Sequence, residues 1–217
     1  MLVRRDTFES YVPAQGSSAA AELTRTDAIG CFMAELAADD ILVSTTGMAS
    51  REVWAYRELH GQPHDRDFLT VGSMGHSSQI ALGIAQRSPA NTVFCLDGDG
   101  AVLMHLGSLA IIGSQAPPNL RHVVINNGAH DSVGGQPTAM REVDLLAVSR
   151  ACGYRIAEAA ATEQEIASAM TRVRTEPGPS LLEIRVASRA STDAGRPTTS
   201  PVQNKAAFMR AIGNAGS

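Results

Sequence analysis

Thr92-Val93-Phe94-Cys95-Leu96-Asp97-Gly98-Asp99-Gly100 and, some twenty residues on, Leu120-Arg121-His122-Val123-Val124-Ile125-Asn126-Asn127-Gly128-Ala129-His130-Asp131 decide the fold. Each opens with an apolar strand-length run and ends in residues that bind cations or turn sharply. Asp99 between two glycines follows the strand predicted over Thr92–Leu96. The Asn pair follows the strand predicted over Leu120–Ile125. At the carboxyl edge of a parallel sheet these offer a carboxylate and an amide oxygen side by side. Mg²⁺ takes near-octahedral oxygen ligands and is held by one or two protein oxygens together with phosphate oxygens. The pair therefore suits a hard cation that in turn holds a diphosphate. Gly98 and Gly100 let backbone come close to a phosphate, and a helix starting near Ala101 aims its free N–H groups at it. Asp-Gly-Asp-Gly alone also reads as an ordinary acidic turn. The Asn-Asn-Gly one helix and one strand later is what separates the two readings.

Working outward, βα units alternate. The pattern predicts helices over about 26–38 (capped at Thr24 or Thr26), 49–60, 77–86, 143–151 and 162–174. It predicts further strands over 41–44, 68–71, 154–157 and 180–186. Strands separated by helices imply right-handed crossovers and a parallel sheet covered on both faces. The fold class is α/β, a three-layer α/β/α arrangement with a mainly parallel sheet. Ligands in such folds bind beyond the carboxyl ends of the strands, where residues 45–50, 72–76, 98–100 and 126–138 all fall. Residues 1–24 read as an extension with a flexible join at 13–18, 25–190 as the binding domain, and 191–217 as a tail with a short helix.

Composition narrows the class. Hydrophobic residues make up 44% of the 217-residue chain and aromatics 4%, so the core is aliphatic. A net charge of −4 argues against nucleic-acid binding. Three cysteines, Cys31, Cys95 and Cys152, have no zinc spacing and read as buried thiols in a reducing compartment. No run is long and apolar enough to span a membrane, and the start lacks a signal-peptide core. The expectation is a cytoplasmic protein that binds neither membrane nor nucleic acid.

Several separated motifs agree on a family. Thr45-Thr46-Gly47-Met48, Asp67 through His76 with its Gly72-Ser73-Met74-Gly75, Cys95 through Gly100, Asn126 through Thr138, and Gly195-Arg196-Pro197-Thr198-Thr199 resemble phosphonopyruvate decarboxylases. They also resemble the cofactor-binding subunit of sulfopyruvate decarboxylases. The resemblance covers about residues 25–210 and implies thiamine diphosphate and Mg²⁺ as cofactors. It implies that Asp99 and Asn127 bind the metal through side chains and Ala129 through its carbonyl, with Asn126 as the competing ligand. It implies that Gly98, Gly100 and Ala101 meet the diphosphate on one side and Thr46, Gly47 and Met48 on the other. Gly72 and Ser73 would meet the aminopyrimidine, with Met74 the apolar wedge that bends the cofactor; Met74 as plain core is the alternative. His130, as a candidate catalytic residue, and Asp131 and Gln136 would contact substrate from the loop after the metal. His76 reads as a capping or packing residue, and His60, His64, His105 and His122 have no assigned partners. Arg196 either meets the substrate's anionic group or braces the tail.

Phosphonopyruvate decarboxylases are usually about twice this long. The half that binds the aminopyrimidine and carries the activating glutamate has no counterpart here. The resemblance therefore implies a separate pyrimidine-binding subunit, an active site between two chains, and an α₂β₂ or larger assembly. Three functions follow as expectations: a phosphonopyruvate decarboxylase subunit, a sulfopyruvate decarboxylase or carboligase subunit, or a non-catalytic assembly subunit.

Overall fold

The computed structural model describes residues 23–187 and 194–213. Six strands, β1 (Ile41–Ser44), β2 (Asp67–Leu69), β3 (Val93–Gly98), β4 (Leu120–Asn126), β7 (Ile156–Ala160) and β8 (Ser180–Arg185), form one sheet. A short pair, β5 (Ala129–His130) and β6 (Gln136–Pro137), lies apart in the loop after β4. Period-two alternation sorts the strand residues between two cores. Leu42, Phe94, Leu96, Val123 and Ile125 pack on one face, and Ile41, Val43, Val93, Cys95 and Val124 on the other. The first core is closed by α1 (Arg25–Ala34), α2 (Met48–Leu59) and α7 (Glu163–Thr175). The second is closed by α3 (Ser77–Arg87), α4 (Asp99–Met104), α5 (Ser108–Gln115), α6 (Leu145–Ala151) and α8 (Pro201–Gly213).

Strand order is β2-β1-β3-β4-β8-β7, and every neighbouring pair is parallel. Winding reverses between β1 and β3, so the crevice beyond their carboxyl ends is the topological switch point. Thr45-Thr46-Gly47 and Gly98-Asp99-Gly100 leave the sheet there.

Local chemistry moves several boundaries from their expected places. Thr24 caps α1 in a capping box with Asp27, and Leu23 accepts a hydrogen bond from the Ala187 N–H at 2.9 Å. The rest of the expected 1–24 extension lies outside the described residues. Helix α1 stops at Ala34, short of Ala38, because the buried Asp40 carboxylate accepts from the Ala37 N–H at 2.7 Å and turns the chain. The run after Asp99 is two short helices, broken at His105, whose ring packs 4.2 Å from that of His76. Strand β7 starts at Ile156 because Gly153 (φ 102°) and a Tyr154 N–H to Ser149 carbonyl bond hold 152–154 in the turn after α6.

The tail helix α8 covers the edge strand. Asn204 donates to the Asp67 carbonyl at 2.9 Å and accepts from the Leu69 N–H at 3.2 Å. Its amide takes the place of a further strand on an edge that would otherwise be open to pairing. Among the described residues no helix is long and apolar enough to cross a membrane.

Candidate functional site

Five chain segments meet at the switch point and line one cleft, one of them the start of α1 at Arg25. The β1–α2 turn brings Thr46 and Met48, and the turn before α3 brings Met74. The β3–α4 junction brings Gly98, Asp99, Gly100 and Ala101, and the loop after β4 brings Asn127, Ala129, His130 and Asp131. Gly47 lies beside Thr46 in an adjoining pocket. Gly72 and Ser73 are exposed on the rim, where the Gly72 N–H donates to Thr46 Oγ1 at 3.1 Å. Gln136 is exposed on β6, outside the cleft lining.

Asp99 is 3% exposed. Burial pushes its carboxyl above the usual range, opposed by the hydroxyl of Thr138, which donates to Asp99 Oδ2 at 2.5 Å. No basic side chain forms an ion pair with Asp99 among the described residues. A buried carboxylate costs free energy unless a cation or hydrogen bonds compensate it, and this one opens onto the cleft. Thr45 Oγ1, also on the cleft, is buried without a hydrogen-bond partner. Gly100 is the close-approach position: a Cβ there would stand 2.9 Å from the His130 ring and 3.6 Å from Met74 Cε. An oxygen-ligated cation with a bound phosphate fits this donor set.

The two asparagines have different surroundings. Asn126 is turned inward, donating to the buried Glu183 at 2.6 Å and accepting from the Gly128 N–H at 3.0 Å. Asn127 faces the cleft, with Oδ1 accepting from the Ala129 N–H at 3.1 Å and Nδ2 donating to Asp131 Oδ2 at 2.6 Å. Asp131 also takes Arg25 Nη1 at 2.7 Å, and Arg25 Nε reaches Glu52 Oε2 at 2.9 Å. Arg25 thus puts a nearly buried guanidinium on the cleft wall, a residue that reading the motifs missed. Its one sequence signal is its place beside the Thr24 cap.

The residues before α3 are held in unusual backbone. Gly72, Ser73 and Gly75 have φ of 74°, 49° and 85°. A Cβ on Gly75 would meet His105 Cδ2 at 2.6 Å and the Ala101 carbonyl at 2.8 Å, so this turn is locked against α4. Beneath the cleft lies a second feature absent from the motif reading. Asp97, 1% exposed, accepts from Ser77 Oγ and the Gly98 N–H, both at 3.1 Å, and stands 3.5 Å from His122 Nε2. His122 Nδ1 lies 3.2 Å from the Tyr154 hydroxyl. This group ties the end of β3 to the start of α3 and fixes the backbone that presents Asp99. His60 and His64 stack on Tyr56 and Trp54, away from the cleft.

A parallel α/β domain with a carboxylate, an amide and a glycine cradle at its switch point has the donors that a cation with a bound phosphate requires. Residues 45–184 match the thiamine pyrophosphate enzyme, C-terminal TPP binding domain, and the chain belongs to that family. It is 40% identical over 190 residues to phosphonopyruvate decarboxylase from Streptomyces viridochromogenes, covering 88% of this chain and 46% of that protein. It is 39% identical over 132 residues to sulfopyruvate decarboxylase subunit beta from Methanococcus maripaludis, covering 61% of this chain and 68% of that subunit. The chain spans less than half the length of two phosphonopyruvate decarboxylases that it matches, 46% and 43%. Among solved structures, benzoylformate decarboxylase from Polynucleobacter necessarius has the same fold, with TM-score 0.63 at 16% identity. That likeness covers 82% of this chain and 36% of the other.

Proposed function

We propose that this chain is the diphosphate-binding subunit of a two-component, thiamine diphosphate-dependent 2-oxo acid decarboxylase that converts 3-phosphonopyruvate to phosphonoacetaldehyde and CO₂. The observation that carries the reading is the convergence of Asp99, Asn127 and Ala129 on one cleft in a member of this family. Asp99 and Asn127 hold Mg²⁺ through their side chains and Ala129 through its carbonyl. Gly98, Gly100 and Ala101 meet the diphosphate opposite Thr46, Gly47 and Met48. Gly72 and Ser73 face the aminopyrimidine, and Met74 sets the bend of the cofactor. His130 and Asp131 lie toward the substrate, whereas Gln136 reaches it only if the loop after β4 moves. Bound there, the cofactor supplies the electron sink that decarboxylation of a 2-oxo acid needs.

Size and surface support a second chain. The cleft holds about 80 Å³, well below the ~300–1,000 Å³ of a pocket enclosing a small-molecule ligand. The described residues at this cleft therefore enclose only part of such a cofactor, which supports cover from a second chain. Val71 and Val133, 72% and 70% exposed, flank the rim and suit burial against a partner. The partner supplies the activating glutamate in an α₂β₂ or larger cytoplasmic complex. The match to a separate sulfopyruvate decarboxylase beta subunit supports the two-chain organisation and makes sulfopyruvate the second substrate to test.

The test is calorimetric titration of thiamine diphosphate into the purified protein, with and without Mg²⁺, for the wild type and Asp99→Ala. Binding that needs Mg²⁺ and is lost in the variant is expected. Binding unchanged in a folded Asp99→Ala overturns the metal assignment.

A further inference from the structure

Beside the cleft, separated from it by Thr46, lies a larger pocket of about 340 Å³. Its walls are the carboxyl ends of β1 and β2, the first turn of α2, and the tail from Arg196 to Asn204. Two arginines, Arg51 and Arg196, line it, with hydroxyls from Ser50, Thr70 and Thr199. No acidic side chain does among the described residues. Neither Arg51 nor Arg196 has an ion pair among the described residues. Both arginines bring positive charge to one cavity, and an anion between them is attracted by both.

The backbone favours the same occupant. Helix α2 has twelve residues and follows Gly47, which provides no side-chain cap, and α8 begins at Pro201 on the opposite wall. Both present the positive ends of their dipoles to the pocket. Thr46 borders both cavities and is bonded to the Gly72 N–H, so a molecule reacting in the cleft could place its far end in the pocket.

Resting on the decarboxylase reading above, we propose that this pocket binds the tetrahedral oxyanion at the far end of the substrate. Arg51 and Arg196 are its specificity-determining residues. A planar guanidinium pairs two N–H groups with two oxygens of a phosphonate or sulfonate. A 2-oxo acid whose far end is apolar, such as 2-oxobutyrate, leaves both arginines unmatched, so the pocket selects for a second anionic group. Arg196 is held to the domain by α8, because Asn204 fastens that helix to β2. The tail thereby becomes a wall of the substrate site as well as an edge cover.

The test uses the complex as purified, in the wild type and in Arg51→Gln, Arg196→Gln, the double variant and the lysine counterparts. Loss of a charge-assisted pair raises KM for 3-phosphonopyruvate or sulfopyruvate about ten-fold or more per arginine. Preference for either over 2-oxobutyrate falls by a similar factor, with partial recovery in the lysine variants. In parallel, methylphosphonate and methylsulfonate are titrated into the same proteins by NMR, which needs no turnover. Wild-type binding lost in the double variant is expected, and the two probes distinguish phosphonate from sulfonate. If the wild type binds methylphosphonate at this pocket yet decarboxylates neither acid, the pocket stands and the decarboxylase reading falls. Turnover with unchanged KM and preference in the folded glutamine variants overturns the pocket assignment.

Discussion

Replacing Arg25 with methionine keeps much of the apolar stem but deletes the guanidinium. That group bonds Glu52 at 2.9 Å and Asp131 at 2.7 Å, and the Glu52 side chain is 2% exposed. Removing one partner of a buried ion pair leaves the other charge uncompensated and costs about 3–5 kcal/mol. Two contacts soften the loss: Glu52 keeps the Thr26 hydroxyl at 3.0 Å, and Asp131 keeps Asn127 Nδ2 at 2.6 Å. The lower end, about 3 kcal/mol, is therefore expected. Arg25→Met with Glu52→Met removes both charges and should recover most of the deficit, giving a coupling of about 2 kcal/mol. Urea unfolding followed by circular dichroism reads each value from midpoint and slope. A single variant within about 0.5 kcal/mol of wild type, or a double variant as unstable as the summed singles, would refute this picture of the cleft wall.

Asn204→Ala strips two hydrogen bonds from the edge of β2; a loss of about 2–3 kcal/mol is expected by thermal unfolding, and faster amide exchange at Leu69 should accompany it. Gly75→Ala forces a Cβ to within 2.8 Å of the Ala101 carbonyl at φ 85°, so a destabilisation of about 1–3 kcal/mol or more is expected, and a neutral substitution would contradict the packing of that turn. Burial pushes the Cys95 thiol well above its ordinary value, so brief iodoacetamide treatment of the native protein at pH 8 should label Cys31 and Cys152 before Cys95. Mass spectrometry of the peptides reads the order.

The parts of the fold carried by local pattern were legible in the chain. The runs ending at Asp99 and Asn127 became adjacent strands β3 and β4, because each pairs an apolar core with glycine or asparagine at its exit. The cleft residues were legible for the same reason, since the motifs sit where the strands end. What was hidden depends on contacts distant in sequence. Arg25 meets Asp131 across 106 residues and Asn204 meets Leu69 across 135, and neither leaves a spacing to read. Spacing alone left Asn126 and Asn127 equivalent, and only the family resemblance favoured Asn127; the buried Glu183, on a strand 57 residues away, is what turns Asn126 inward. His122 offered no partner in the motifs because Asp97 and Tyr154 reach it only once β3, β4 and the turn after α6 assemble.

The most direct measurement purifies the complex from its native host through a tag on this chain. With thiamine diphosphate and Mg²⁺ supplied, CO₂ release is followed from 3-phosphonopyruvate and from sulfopyruvate, beside the isolated chain. A second chain should co-purify, the complex should turn over 3-phosphonopyruvate faster, and the isolated chain should release nothing. Steady CO₂ release by the isolated chain, or a complex inert toward both acids, would contradict a split decarboxylase site.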